Sequence, residues 1–374
     1  LISGLPVGNS GNCLFHVIFF PLLFYFNCNI NGYCMELIFT LVVLVYVSYF
    51  IGCLLPKNKY KFLCAVFFVG LGFLLRNMIA FHLTKDYDAY IHYFSDSFVF
   101  VSWVDYISKE PYLYILYRFF GLFFSSNETI FAAIYYLNFF LITTFFVWLM
   151  FVDDVRTWKK NIFFTLFYFL FAHVLLRNGA QYVIFAYFIY LIYRNRNTYL
   201  IFLTPFIHLT SSAPIILVFH RWKYYRWLLL AFVLLLIPML FLGKFANIPL
   251  LHTITYRIVT YSQEYHFSLA HYVFFATIIG GCAVAYYFLR KRFWNPIIIT
   301  TLIIYLLSFL ISPIAGFRYS PYLLMSLLFI KVEEGEYVRL NTLLDYGSVV
   351  LLGYFFYSLI DTHSNDLLLQ NFSI

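Results

Sequence analysis

Arg177 stands at the junction of two apolar runs, in Leu175-Leu176-Arg177-Asn178-Gly179-Ala180-Gln181, with little other charge around it. An arginine in such a setting is costly to keep: it either snorkels its guanidinium to lipid headgroups or is retained for a ligand. The guanidinium is a planar fork of donors that matches the oxygens of a diphosphate. Arg76, at the end of an earlier apolar run, and Arg318, inside a late one, sit in similar settings. Three such arginines on one face would hold a diphosphate and stabilise it as a leaving group.

The carboxylates and the one well-placed histidine leave two readings each. Asp86 and Asp88 lie in Lys85-Asp86-Tyr87-Asp88-Ala89-Tyr90, and an i,i+2 spacing does not put both on one helix face. They are either part of a solvated loop, or one of them faces inward to orient or deprotonate a sugar hydroxyl, with Tyr87 and Tyr90 stacking on the sugar. Glu110 precedes Pro111, a pair that helix-start preferences alone explain; the other reading is a carboxylate that pins an external helix over the site. His208, in Phe206-Ile207-His208-Leu209-Thr210, is either a hydrogen-bonded packing residue or a general base that titrates near neutrality. There is no HExxH, no second histidine at i+4, no GxSxG and no P-loop. The six cysteines lie in apolar segments without a CxxC pair. No metal and no cofactor are therefore expected.

The elements that must position these residues are set by composition. Of 374 residues, 63% are hydrophobic and 11% charged, and the mean hydropathy is +0.84. A soluble domain carries roughly 25% charged residues, so this chain needs lipid as the solvent for most of its surface. A cytosolic enzyme, a secreted domain and a disordered chain are excluded. The 49 Phe and 35 Tyr fit aromatic enrichment at membrane interfaces together with codon bias. The net charge of +8 reads as positive-inside bias, not nucleic-acid binding. The stretch Leu1–Asn12 has no basic n-region and is not expected to be a cleaved signal peptide.

A membrane helix takes roughly 20 residues. Apolar runs lie at 13–29, 34–55, 61–78, 127–152, 161–176, 179–194, 226–242, 267–289, 294–312, 316–331 and 341–360. The expected fold is all-α: one polytopic membrane domain over 1–374 with about 11 transmembrane helices. Basic clusters at 57–61, 156–160, 194–196, 221–226 and 290–292 should all face the cytoplasm. That holds only if 111–125 does not cross, making 79–126 an external loop with an interfacial helix. It also requires 198–219 to be a re-entrant hairpin turning near His208; the rival is a single crossing with one basic loop breaking the rule. The N-terminus is then inside and the C-terminus outside. Arg76, the 79–110 loop, Arg177, the second external loop at 243–266 and Arg318 come to the outer side.

In order and rough spacing these residues resemble the EpsG-type branch of the Wzy polysaccharide polymerases, over about residues 60–330. Arg76 followed by Asp86, Tyr87 and Tyr90 resembles the family's arginine and external Asp-Tyr-x-x-Tyr motif. Glu110-Pro111 resembles a Glu-Pro that opens an aromatic helix. Arg177-Asn178-Gly179 resembles an Arg-Gln-Gly step, His208 with Thr210 and Ser211 a His-x-Ser step, and Arg318 with Tyr322 a late arginine and aromatic. The chain departs from the pattern at Thr84-Lys85, where the family has glycine, and at Asn178.

The resemblance implies a bacterial inner-membrane glycosyltransferase for O-antigen, capsule or exopolysaccharide, with its active site facing the periplasm or exterior. It would move a growing glycan from undecaprenyl diphosphate to a hydroxyl of the next undecaprenyl-diphosphate-linked oligosaccharide repeat. Arg177, His208, Asp86 and Glu110 would be catalytic, and Arg76, Tyr87, Asp88, Tyr90, Arg318 and Tyr322 would bind substrate. Functional links to a flippase and a chain-length regulator are implied too. The competing classes are a flippase or transporter of the lipid-linked glycan, for which no helix repeat is evident, and an O-antigen-ligase-like enzyme or acyltransferase.

Overall fold

The computed structural model describes residues 32–79, 81, 87, 91, 111–176, 178–196, 198–242, 269–330 and 338–361. Every element among them is helical. The helices are α1 (Gly32–Leu54), α2 (Lys59–Met78), α3 (Pro111–Phe120), α4 (Asn127–Phe151) and α5 (Thr157–Phe169), the last continued by a π-turn (Leu170–Val174). They are followed by α6 (Asn178–Ile192), the short α7 (Thr204–Ile207), α8 (Tyr225–Leu242), α9 (Leu269–Leu289), α10 (Pro296–Ile311), α11 (Pro313–Leu328) and α12 (Val338–Asp361). Tight 3₁₀ turns cover Leu200–Leu203, Leu209–Phe219 and Arg290–Trp294. Within the described residues, four segments are long and apolar enough to cross a membrane: Leu37–Leu54, Lys59–Met78, Asn127–Phe151 and His271–Trp294. The apolar run at 13–29 and the loop at 243–266 lie outside the described residues, as does most of 79–110.

Local chemistry starts several of these helices. The Asn58 side chain accepts from the Tyr60 and Lys61 amides at the head of α2, and Ser126 accepts from Thr129 N at the head of α4. Pro111, Pro296 and Pro313 each occupy the first helical position of α3, α10 and α11, where the missing N–H costs no hydrogen bond. The α6 helix ends on Asn195, whose φ of 57° is left-handed; Arg196 N bonds back to Leu191 O at 2.9 Å, the closing bond of a helix C-cap.

The aromatic residues do more than mark interfaces. Tyr49 stacks on Phe164 at 3.8 Å, Phe164 on Tyr168 at 4.7 Å, and Phe68 tilts against Tyr168 at 5.0 Å. All four are fully buried where α1, α2, α4 and α5 meet. Pairs of this kind add about 0.5–1.5 kcal/mol each beyond area burial, and they form the centre of the bundle.

One end of the bundle gathers the basic turns. Lys57 pairs with Asp153 at 2.5 Å, Arg194 pairs with Asp154, and Arg221 Nη2 donates to Asn195 Oδ1 at 3.0 Å. Four cations at this end also close helix C-termini. Lys61 Nζ donates to Leu55 O at 3.1 Å, and Arg194 Nη1 to Tyr190 O at 2.8 Å. Lys159 Nζ reaches Leu327 O at 2.9 Å and Ile330 O at 3.1 Å. Lys160 Nζ reaches Met150 O at 3.2 Å and also Val152 O. Carbonyls left over at helix ends favour cations for both hydrogen-bonding and dipole reasons. Burial, and then the Arg221 guanidinium, hold the His220 imidazole below its ordinary range against the opposing Leu217 carbonyl contact.

The Arg221–Asn195 bond also ties the two ends of segment 196–220 together. Between them the chain runs inward through α7, which packs against α3 and α6, and comes back along the 209–219 turn beside α10. The segment therefore folds back on itself and breaks at His208, whose φ and ψ are extended.

Candidate functional site

The opposite end of the bundle is reached by α2, whose 20 residues rise about 30 Å at 1.5 Å per residue. Arg76 lies near its end and is 0% exposed. Its guanidinium donates from Nη1 to His173 O at 2.9 Å and from Nη2 to Ile79 O at 3.3 Å. Its Cζ lies over the Phe81 ring at 4.3 Å from the centroid and over that of Tyr135 at 5.3 Å. Hydrogen bonds from both Nη atoms and rings beside the cation offset much of the cost of burying the guanidinium. The residue expected as a diphosphate ligand is thus built into the wall, and its bond to His173 O brings α2 to the α5–α6 break where Arg177 sits in the chain.

That break has a physical cause. The chain makes a π-turn over Leu170–Val174, with Leu175 N bonded to Leu170 O at 2.8 Å. Asn138 of α4, buried at 3% exposure, donates Nδ2 to Phe171 O at 2.8 Å and to Leu175 O at 3.0 Å. Carbonyls freed by the break are thereby satisfied from two other helices, two by Asn138 of α4 and one by Arg76 of α2. Gly179 is required just after it: a Cβ there would come within 2.6 Å of Asn138 Oδ1 and 2.9 Å of Ile142. π-Turns inside helices concentrate at functional sites.

The first turns of α6 add further polar groups. Gln181 Nε2 donates to Asn178 Oδ1 at 3.2 Å, and Tyr182 OH donates to Arg318 O at 2.7 Å, linking α6 to α11. Tyr182 also stacks on Phe171 of the π-turn at 4.6 Å. Near the break, the two ring nitrogens of His173, Gln181 Oε1 and Asn138 Oδ1 are buried without a hydrogen-bond partner among the described residues. The His173 ring is boxed by Phe169 at 5.1 Å and Phe139 at 5.5 Å. Buried polar atoms left unpaired in this way call for an explanation. Among the described residues, no group of three or more His, Cys, Asp and Glu comes together as a metal site would need.

Of the residues singled out from the sequence, Asp86, Asp88, Tyr90, Glu110 and Arg177 lie outside the described residues. Tyr87 is 8% exposed and packs in a cluster with Phe81, Leu113, Tyr135 and Leu176, so most of its ring is covered by protein. Tyr322 is likewise buried, edge-on to Phe185 at 4.6 Å and 5.2 Å from Tyr182. Arg318 is partly buried on α11 beside them. His208 is 2% exposed; its N–H bonds to Thr204 O, and its carbonyl accepts from Ser211 N and, at 2.7 Å, from Ser211 Oγ. The geometry thus joins Arg76 to the α5–α6 break and the break to Arg318 and Tyr322. Sequence reasoning passed over His173, Asn138 and Gln181. Their signal was a lone polar side chain in an otherwise apolar helix, which ordinarily marks a functional or structural polar contact. Comparison of the chain with protein-family models, with curated proteins and with solved structures returns no match.

Proposed function

We propose that the chain is a membrane glycosyltransferase that polymerises lipid-linked oligosaccharide repeats. The reading rests chiefly on the bond from Arg76 to the His173 carbonyl. It ties two arginine-bearing segments, about a hundred residues apart in the chain, together at the end away from the basic turns, where unpaired buried polar groups also collect. In this reading all the apolar helices cross the membrane, about eleven in total, with the basic turns on the cytoplasmic side and the break facing out. The chain would reside in a bacterial inner membrane.

The reaction would break the bond between the anomeric carbon of the growing glycan and undecaprenyl diphosphate. A hydroxyl of the next undecaprenyl-diphosphate-linked repeat forms the new glycosidic bond and gives up its proton to a base, and undecaprenyl diphosphate departs. Arg177 and Arg318 neutralise the departing diphosphate. His208 or Asp86 takes the proton, with Glu110, Asp88 and Tyr90 about the acceptor. Arg76, with both Nη atoms on backbone carbonyls, acts as a positioning residue for the break. Deletion of the coding sequence, followed by complementation and electrophoresis of the surface glycan, tests this reading. Loss of the ladder with a single repeat retained is the expected result. Complete loss of glycan would instead indicate a flippase, and polymer left unattached to its lipid core a ligase.

The fold-back at 196–220 reads as a re-entrant hairpin entering from the cytoplasmic side, because its ends are tied at Asn195 and Arg221. Irregular backbone at membrane depth is tolerated where protein or a cavity covers it. Accessibility tags placed in 194–197 and in 221–226 should both report the cytoplasm. Opposite exposure would replace the hairpin by a single crossing.

A further inference from the structure

At the basic end, a cleft opens between α5, α9, α11 and α12, with a volume of about 270 Å³. Its walls include Trp158, Lys159, Gly281, Ala285, Leu324 and Asn341, and the remainder is almost wholly aliphatic or aromatic. Three features mark it as a place for a lipid chain. First, α9 is the least covered of the four long apolar segments: 17% of its apolar window is buried inside the protein. The cleft thus borders a helix face turned toward the surrounding solvent, which for this chain is lipid. Second, Gly281 stands on that wall in mid-helix, where glycine costs about 1 kcal/mol relative to alanine, and a Cβ added there meets nothing within 4 Å. The space is kept open by the sequence and is not filled by a neighbour. Third, the polar groups are confined to one side of the cleft. There Lys159 uses two of its three N–H donors on Leu327 O and Ile330 O, Trp158 Nε1 donates to Asn341 Oδ1 at 3.3 Å, and Trp158 N bonds Asp345 Oδ1 at 2.9 Å.

We infer that this cleft holds one acyl chain of a membrane phospholipid, with the lipid's phosphodiester against Lys159. Burial lowers the Lys159 amine to about 7, so an adjacent phosphodiester anion would hold it charged and leave one N–H donor beyond those on Leu327 O and Ile330 O, in the leaflet bordered by the basic turns. The inference does not depend on the glycosyltransferase reading, since the cleft lies at the end of the bundle away from the α5–α6 break.

The test uses the full-length protein in phosphatidylcholine vesicles and the fluorescence of Trp158, isolated from the other tryptophans by difference from Trp158→Phe. A fixed minor fraction of the lipid is replaced by phosphatidylethanolamine brominated on its acyl chains, or by the same fraction of brominated diacylglycerol, which lacks the phosphodiester. Quenching of Trp158 by the brominated phospholipid should exceed that by the diacylglycerol several-fold. Gly281→Leu, which fills the cleft without a clash at Cβ, should remove the excess at an unchanged melting temperature. Gly70→Leu, at an equally open position on α2, should leave it intact. Equal quenching by the two probes, or an excess that survives Gly281→Leu, would overturn the inference.

Discussion

In cells that depend on this chain for surface glycan, Arg177→Ala is expected to abolish long-chain polymer and leave single repeats, with the protein's level in the membrane near normal. The size of the effect follows from the leaving group. A diphosphate departing in a water-poor site needs donors already in place, and removal of one preorganised donor to developing charge typically costs about 2.7–4 kcal/mol, or 10²–10³ in rate. At that loss no ladder forms on the time scale of growth. Arg177→Lys keeps a point charge but loses the fork and should give short chains at low yield. The backbone needed to aim Arg177 is held from elsewhere, by Arg76 on His173 O and by Asn138 on Phe171 O and Leu175 O, so the alanine variant should insert and fold. Normal chain length in a correctly inserted Arg177→Ala protein would remove the arginine from the mechanism.

Arg76 carries the second large effect, for a different reason. Arg76→Leu leaves the His173 and Ile79 carbonyls without their guanidinium donor, at about 1–3 kcal/mol for each unsatisfied buried group. It also strips the cation from the faces of Phe81 and Tyr135. The melting temperature in detergent should fall clearly and polymer should be lost with it. Arg76→Lys separates positioning from ligand binding. A lysine can serve a phosphate as a point charge, but it cannot reproduce the guanidinium's fork on two carbonyls while lying over Phe81. If Arg76 positions the break, the lysine variant loses most polymerisation and melts lower. Retained polymer at an unchanged melting temperature would make Arg76 a diphosphate contact instead.

The helices were legible where apolar length and end signals agreed. The run at 127–152 reads directly as α4, because Ser126 caps it and nothing inside interrupts it. The pause at Arg177-Asn178-Gly179 was visible as a junction between two runs, and the clustering of basic turns followed from charge alone. The π-turn was not legible, because its cause lies on another helix: Asn138 draws the Phe171 and Leu175 carbonyls toward α4. His173 gave the same signal as any histidine in an apolar run; what distinguishes it is the arginine on its carbonyl, a contact across 97 positions of chain. The aromatic excess, assigned from sequence to interfaces and codon bias, is in part a core device, since rings such as Tyr49, Phe164 and Tyr168 fill the centre of the bundle. The 3₁₀ path over Leu209–Phe219 follows from packing beside α10 and from Pro214, neither of which apolar periodicity registers.

Positive charge that sorts a membrane protein is ordinarily interchangeable along a loop: a lysine moved by two residues still counts. Here Lys61, Lys159, Lys160 and Arg194 are each committed to particular carbonyls at the ends of α1, α11, α4 and α6. Shuffling these cations within their turns would preserve the sorting signal while unsealing four helix ends. The insertion machinery would pass such a variant and quality-control proteases would remove it. In the proposed topology, orientation and survival after insertion would depend on the same four side chains.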